Sequence, residues 1–267
     1  YIEMDYQETL IYGDVMAMGK RKWEDFTLDV AIGGSINDKN VNSTRYDSKN
    51  ASLKYANVFN LANIVMNGSA SIDQKIDSRR QLQSVFGTAQ VGYQDKVFLD
   101  LTARNDWAST LAYTSHEKSG FFYPSAGLSF LIDKWIQLPE WISFAKLRGT
   151  YSKVGNDIPQ FITNSVSHIT AGGELQANDA APFKEMEPEM THSVEVGTEW
   201  RFFQSRLGFN LTYYRTNTHN QFFKLPALAG DMYAYRYVNA GDIQNRGWEL
   251  TVDATPVLTP DFTWKTS

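Results

Sequence analysis

Residues 193–216 read SVEVGTEWRFFQSRLGFNLTYYRT. Val194, Val196, Thr198 and Trp200 occupy one side of a two-residue repeat, and Ser193, Glu195, Gly197, Glu199 and Arg201 occupy the other. Successive side chains of a strand point to opposite faces, so this is a strand with one charge-free face and one wet face. Gln204 and Ser205 make a turn, after which the alternation restarts in Leu207, Phe209, Leu211 and Tyr213. The two runs therefore predict a hairpin.

The same two-sided pattern recurs in both directions along the chain. Phe26, Leu28, Val30 and Ile32 alternate with Thr27, Asp29 and Ala31. Val85, Gly87, Ala89, Val91 and Tyr93 lead through a turn at Gln94, Asp95 and Lys96 into Val97, Leu99, Leu101 and Ala103. Ala126, Leu128, Phe130 and Ile132 form a further stripe, followed by Ala145, Leu147, Gly149 and Tyr151, and finally by Trp248, Leu250, Val252 and Ala254. None of the stripe positions is Asp, Glu, Lys or Arg, whereas the opposite faces hold Asp29, Asp100, Arg104, Lys146, Arg148, Glu195, Glu199, Arg201, Glu249 and Asp253. In a bilayer the cause is direct, because Arg or Lys on the lipid face at midplane costs roughly 2–4 kcal/mol. The inward face of a soluble β-sandwich also excludes charge, so the stripes alone leave both architectures open.

Connection lengths separate them. Those near 94–96, 204–205 and 256–260 are short and that at 133–143 is modest, while those near 107–120, 155–190 and 224–242 are long. Short and long alternate, as expected of a membrane barrel whose turns face the periplasm and whose loops face outward. Aromatic residues fall at both rims: Tyr93, Phe98, Trp135, Trp141, Phe202, Phe203 and Phe262 beside short turns, and Phe121, Phe122, Tyr123, Tyr214, Phe222 and Phe223 toward long loops. They are the expected interfacial girdles.

Composition sets the remaining bounds. Aromatic residues are 14% of the 267 residues, and cysteine is absent, which excludes a disulfide framework and thiolate metal sites. A net charge of −5 argues against a nucleic-acid partner. There is no apolar run long enough for a transmembrane helix, a criterion that strands escape because their alternation hides the membrane signal in the average. The expected fold class is all-β, an antiparallel transmembrane β-barrel fragment with short periplasmic turns and long extracellular loops. Residues 1–22 show little alternation, 37–55 read as a polar loop, and 56–76 as one or two strands. The chain opens on Tyr1 without a leader-like segment and stops at Ser267 within a strand pattern, so the sequence reads as an excerpt, one barrel domain over 1–267.

Five segments occur in a particular order: VFGTAQVGYQDKVFLDLTARND (85–106), FYPSAGLSFLI (122–132), KLRGTYSKVGND (146–157), RLGFNLTYYRT (206–216) and NAGDIQNRGWE (239–249). Over roughly residues 80–267 the set resembles the C-terminal part of the barrel of SusC/RagA-type TonB-dependent transporters. The resemblance implies part of a barrel of the 22-stranded plugged type. It further implies a SusD-like surface lipoprotein as partner, energy from TonB (the TonB–ExbB–ExbD complex), outer-membrane lipid around the wall, and oligosaccharides or peptides as ligands.

The residues themselves give no catalytic set. His116, His168, His192 and His219 are not spaced with carboxylates as metal ligands and have no evident nucleophile beside them. Glu185, Glu187 and Glu189 around Pro188 lack the glycine-turned loop of a calcium site and read as a solvated strand entrance. Gly172 and Gly173 match no phosphate cradle and read as a loop hinge. Gly155 suits a sharply turning strand end, Gly241 and Gly247 a return into the sheet, and Asn156, Asp157, Asn245 and Arg246 folding roles. Asp106, Trp107, Tyr113, His116 and Tyr123 are the candidate ligand-binding group, since aromatic and acidic side chains on an outward loop can stack on sugars or pair with peptide groups. No catalytic residue, cofactor or metal is expected. The best-supported function is a nutrient importer. Its alternatives are a soluble or surface-attached β-sandwich that binds glycans and an outer-membrane enzyme on a small barrel.

Overall fold

The computed structural model describes residues 2–47, 52–65, 71–164, 166–169 and 175–267. Ten strands form one antiparallel sheet: β1 (Ile2–Lys22), β2 (Phe26–Asp47), β3 (Ser71–Tyr93), β4 (Val97–Ala108), β5 (Phe121–Leu131), β6 (Ile142–Asn156), β9 (Glu189–Phe202), β10 (Leu207–His219), β13 (Asp242–Leu258) and β14 (Thr263–Thr266). Two small ribbons, β7 (His168–Ile169) with β8 (Leu175–Gln176) and β11 (Phe222–Pro226) with β12 (Tyr235–Asn239), lie in the connections. Every sheet strand pairs with its neighbour in the chain once those ribbons are set aside, which is an up-and-down meander. All short connections fall at one end of the sheet and all long ones at the other.

The turns explain the short end. Gln94 and Asp95 both adopt positive φ, 51° and 54°, the pattern of the hairpin turn whose twist matches the flanking strands. Phe203, Gln204 and Ser205 also lie at positive φ between β9 and β10.

The register aligns the charge-free stripes into one continuous face. Leu28, Val91, Leu99, Leu128, Gly149, Val196, Tyr213 and Trp248 stand directly opposite one another, strand to strand. One residue further along, Thr27, Gly92, Phe98, Ser129, Arg148, Gly197, Thr212 and Glu249 form a row on the other face. Among the described residues no second layer covers the apolar face: Ile32 is 66% exposed, Leu128 52%, Val196 55% and Trp248 69%. A sandwich would bury these side chains. An apolar face spread over eight strands and left open is too large for a water-facing surface, and hydrocarbon is the environment that fits it.

The polar face carries its own network. Arg201 pairs with Asp253 across strands at 2.9 Å and with Glu199 at 3.1 Å. Arg148 donates to Thr212 at 2.8 Å, and a Cβ on Gly197 would lie 2.8 Å from the Arg148 Nε, so the glycine leaves room for the guanidinium arm.

Two sequence expectations need correction. The segments 1–22 and 37–47 are strands: β1, β2 and β3 run 21, 22 and 23 residues, twice the ~9–11 that a tilted strand needs to span a bilayer. On β2 the apolar face ends at Ile36 and continues as Asp38 and Asn40. Beyond that point both faces meet water, so hydrophobic alternation disappears while the backbone ladder continues. Ion pairs tie the projecting wall together, Lys39 to Glu8 at 2.8 Å and Arg79 Nε to Asp38 at 2.9 Å. Hydrogen bonds from Arg79, and then from Gln81, hold the Asp38 carboxyl below the usual carboxylate range. Of the one or two strands expected over 56–76, residues 56–65 hold bends and a 3-10 turn at Leu61–Asn63, 66–70 lie outside the described residues, and β3 begins at Ser71.

The aromatic girdles also differ from expectation in their facing. Exposed Trp23, Trp135, Trp141 and Phe203 mark the short-turn rim. Phe98, however, stands on the polar face over Gly92, and Phe121, Tyr123 and Tyr214 also fall on polar-face rows. Proximity to a rim does not reveal facing; parity does.

Leu128→Arg or Leu211→Arg in the intact protein should each cost roughly 2–4 kcal/mol and abolish membrane assembly. Gln90→Arg, whose side chain would join Asp29 and Asp100 on the polar row, should assemble normally. Heat-modifiable migration of the folded barrel on gels reads the difference, and equal behaviour of the two faces would refute the assignment.

Candidate functional site

The long-loop end of the polar face holds the structure's buried core. Ala108, Leu111, Phe121, Ile158 and Met186 pack together there, flanked by Leu82, Tyr123, Phe183 and Phe222. Burying an apolar side chain of this size contributes about 1.5–3 kcal/mol, so the outward connections are pinned against the sheet. Phe121 arrives there because its row on the polar face also contains Ser84 and Asp106. Leu111 is carried in by the 3-10 turn Ser109–Leu111 that follows β4.

A hydrogen-bonded hub joins these connections. Asp157, just past β6, accepts from the guanidinium of Arg80 on β3, from the Thr110 hydroxyl, and from the Ile158 backbone N–H at 2.7 Å. Ser78 donates to Gln160 at 2.6 Å, and the Thr163 hydroxyl donates to the Thr110 carbonyl at 3.2 Å. Beside the hub, Arg104 donates to Asp106 at 2.7 Å and to Ser84 at 2.8 Å. Tyr123 stacks on Phe121 with ring centroids 6.2 Å apart. Gly155 makes room for that ring, since a Cβ there would approach it to 2.6 Å; close approach, not a sharp turn, requires the glycine. Gly241, by contrast, does sit at a positive φ of 149° where the chain returns to β13.

The candidate ligand-binding residues divide between different surroundings. Asp106 is buried and its carboxylate is engaged by Arg104. Tyr123 is half-buried near it. Trp107 has the opposite parity and donates its indole N–H to the Lys118 carbonyl at 2.9 Å. Tyr113 is 66% exposed at a φ of 69°, its backbone N–H held by the Glu117 carboxylate at 2.8 Å. His116 is half-buried in the same loop, and its carbonyl accepts from Gly120. The structure thus brings Asp106 and Tyr123 together with Arg104, and leaves Trp107, Tyr113 and His116 on the 109–120 loop and its stem.

The acidic segment is a strand entrance held by amides. Asn220 donates to the Glu187 carboxylate at 2.7 Å, and Asn156 to Glu189 at 2.7 Å. Among the described residues no three His, Cys, Asp or Glu groups come together as a metal site. Gly172 and Gly173 lie outside the described residues. No local spacing announces the roles of Arg80 and Thr110, because their partner Asp157 is 77 and 47 residues away.

The family described as TonB dependent receptor-like, beta-barrel, matches residues 5–267. The chain belongs to that family. Among curated relatives of this TonB-dependent receptor barrel, TonB-dependent receptor P26 of Formosa agariphila is 28% identical over 197 residues, 70% of this chain and 20% of the relative. TonB-dependent receptor SusC of Bacteroides thetaiotaomicron is 24% identical over 205 residues, 71% of this chain and 20% of the relative. The chain therefore spans about a fifth of the length of these relatives. In fold it is similar to the RagAB peptide transporter, with a TM-score of 0.82 at 19% identity, covering 98% of this chain and 29% of that one.

Asp157→Ala should strand the Arg80 guanidinium and the Thr110 hydroxyl, at a cost of about 1–3 kcal/mol borne by the outward cap. Limited proteolysis of the intact protein from the outer side should then cut within 157–188 while the strands stay protected. Unchanged protease resistance would remove Asp157 as the organising contact.

Proposed function

We propose that this chain is part of the barrel wall of an outer-membrane importer that takes up oligosaccharides or peptides through TonB coupling, in concert with a SusD-like surface lipoprotein. The observation that carries the reading is the division of one ten-stranded sheet into an open, charge-free face and a polar face, with every long loop at the same end. In this reading the wall crosses the outer membrane many times, and the polar face lines a lumen occupied by a plug from elsewhere in the protein. The loop-capped end faces outward, where ligand arrives. The work is binding and translocation, which need no covalent step, and the TonB–ExbB–ExbD complex supplies the energy. The fold likeness to a peptide transporter favours peptides as the first ligand class to test.

On the ligand side, Tyr113 and His116 on the outward loop and Trp107 on its stem offer stacking and hydrogen-bonding groups, while Asp106 and Tyr123 lie on the polar face of the adjoining strands. Trp107→Ala with Tyr113→Ala in the intact protein should lower uptake of labelled peptide or oligosaccharide by roughly 2–10-fold, the scale of lost aromatic contacts, with barrel assembly unchanged. Unaltered uptake of both ligand classes would withdraw these residues. A strain lacking the intact protein should lose growth on one of the two classes; full growth on both would contradict the importer reading.

A further inference from the structure

Just beyond the apolar band, on the same outward-looking face, four neighbouring strands gather cations. Lys153 on β6, His192 on β9, Asn217 on β10 and Gln244 on β13 stand in one row, and Tyr151, Val194, Arg215 and Arg246 in the next. His219 shares the face, its ring 5.7 Å from that of His192. Arg215 and Arg246 are direct cross-strand partners, and like charges placed so are destabilising unless an anion lies between them. The carboxylate facing this group is Asp242, 3.4 Å from His219 and four residues along the strand from Arg246. Among the described residues no ion pair engages Lys153, Arg215 or Arg246. The wall at β2 and β3 differs, since its Arg79 is neutralised by Asp38.

Below the cations lies an apolar depression lined by Leu147, Val196, Leu211, Tyr213 and Trp248, with the last two rings 4.9 Å apart. From Val194 to Phe202 the face of β9 stays free of charge, about the length that crosses the hydrocarbon. The basic rows therefore stand at headgroup depth, and the depression beneath them at acyl-chain depth. Arg, Lys and amide groups over an aromatic floor suit a phosphate attached to an apolar tail.

We propose that Lys153, Arg215 and Arg246, with Asn217 and Gln244 beside them, form a docking site for the phosphorylated headgroup of an outer-leaflet lipid whose chains lie over Tyr213 and Trp248. The proposal rests on the membrane-wall reading given above. A retained lipid would neutralise the arginine pair and fix the depth of this part of the wall.

The test uses the intact protein in phosphatidylcholine vesicles doped with lipid A or with dephosphorylated lipid A, reading the lipid retained after extraction and re-isolation. Wild type should retain the phosphorylated form roughly tenfold over the dephosphorylated one, and K153Q/R215Q/R246Q should lose that preference while remaining in the vesicle. R79Q should keep it. R246Q alone, an exposed single change, should weaken retention several-fold and serves if the triple variant does not assemble. Equal retention of both lipids by wild type, retention unaffected in the variants, or displacement of lipid A by millimolar inorganic phosphate would overturn the proposal. So would a protein captured by the patch in place of lipid. Failure of wild type to stay in vesicles would instead defeat the membrane-wall reading.

Discussion

Hydrocarbon offers no hydrogen-bond partner to a peptide group, and the rest of this structure follows from that constraint. Each backbone N–H and C=O within the membrane must be met by a neighbouring strand, so segments cross as a continuous antiparallel ladder. A ladder has two faces, and one of them touches lipid. The stripes of Val, Leu, Tyr and Trp are the chemical record of that contact, and the Arg201–Asp253 and Arg148–Thr212 contacts show where the charges went instead. Charged side chains are not scarce in this chain; they are confined to one parity of the strands until the bilayer ends.

That confinement is why so much of the fold could be read from sequence. Wherever one face is in lipid and the other is wet, parity is under strong selection by energy, and β4, β6, β9, β10 and β13 announce themselves. The reading failed where the constraint lapses. The outer halves of β1, β2 and β3 stand in water on both sides, so Asn37, Asp38, Lys39 and Asn40 look like a loop although they pair residue by residue with their neighbours. Facing was likewise lost for aromatic residues judged by closeness to a turn. Phe98 flanks a short turn yet lies over Gly92 on the polar face, because a rim residue has two sides available and only register decides between them.

The candidate site was legible in part. Tyr113 on an exposed loop tip is where local sequence placed it. Asp106 is buried with its carboxylate engaged by Arg104, and the hub that organises the loops, Asp157 with Arg80 and Thr110, joins residues too distant in the chain for spacing to reveal. The outward end is accordingly a packed cap with a few free side chains at its surface. The basic rows at Arg215 and Arg246 lay within recognised segments, but their meaning depends on cross-strand alignment and on depth, which a single strand's sequence does not contain.

The central claim concerns what touches each face of β9. This chain has no cysteine of its own, so in an intact protein cleared of any cysteine elsewhere, single cysteines along 193–202 can carry an environment-sensitive label. Labels at 194, 196, 198 and 200 should be quenched by a lipid-borne quencher and protected from a water-soluble one, with the pattern inverted at 193, 195, 199 and 201. A uniform response along the strand, or water quenching at both parities, would contradict the account.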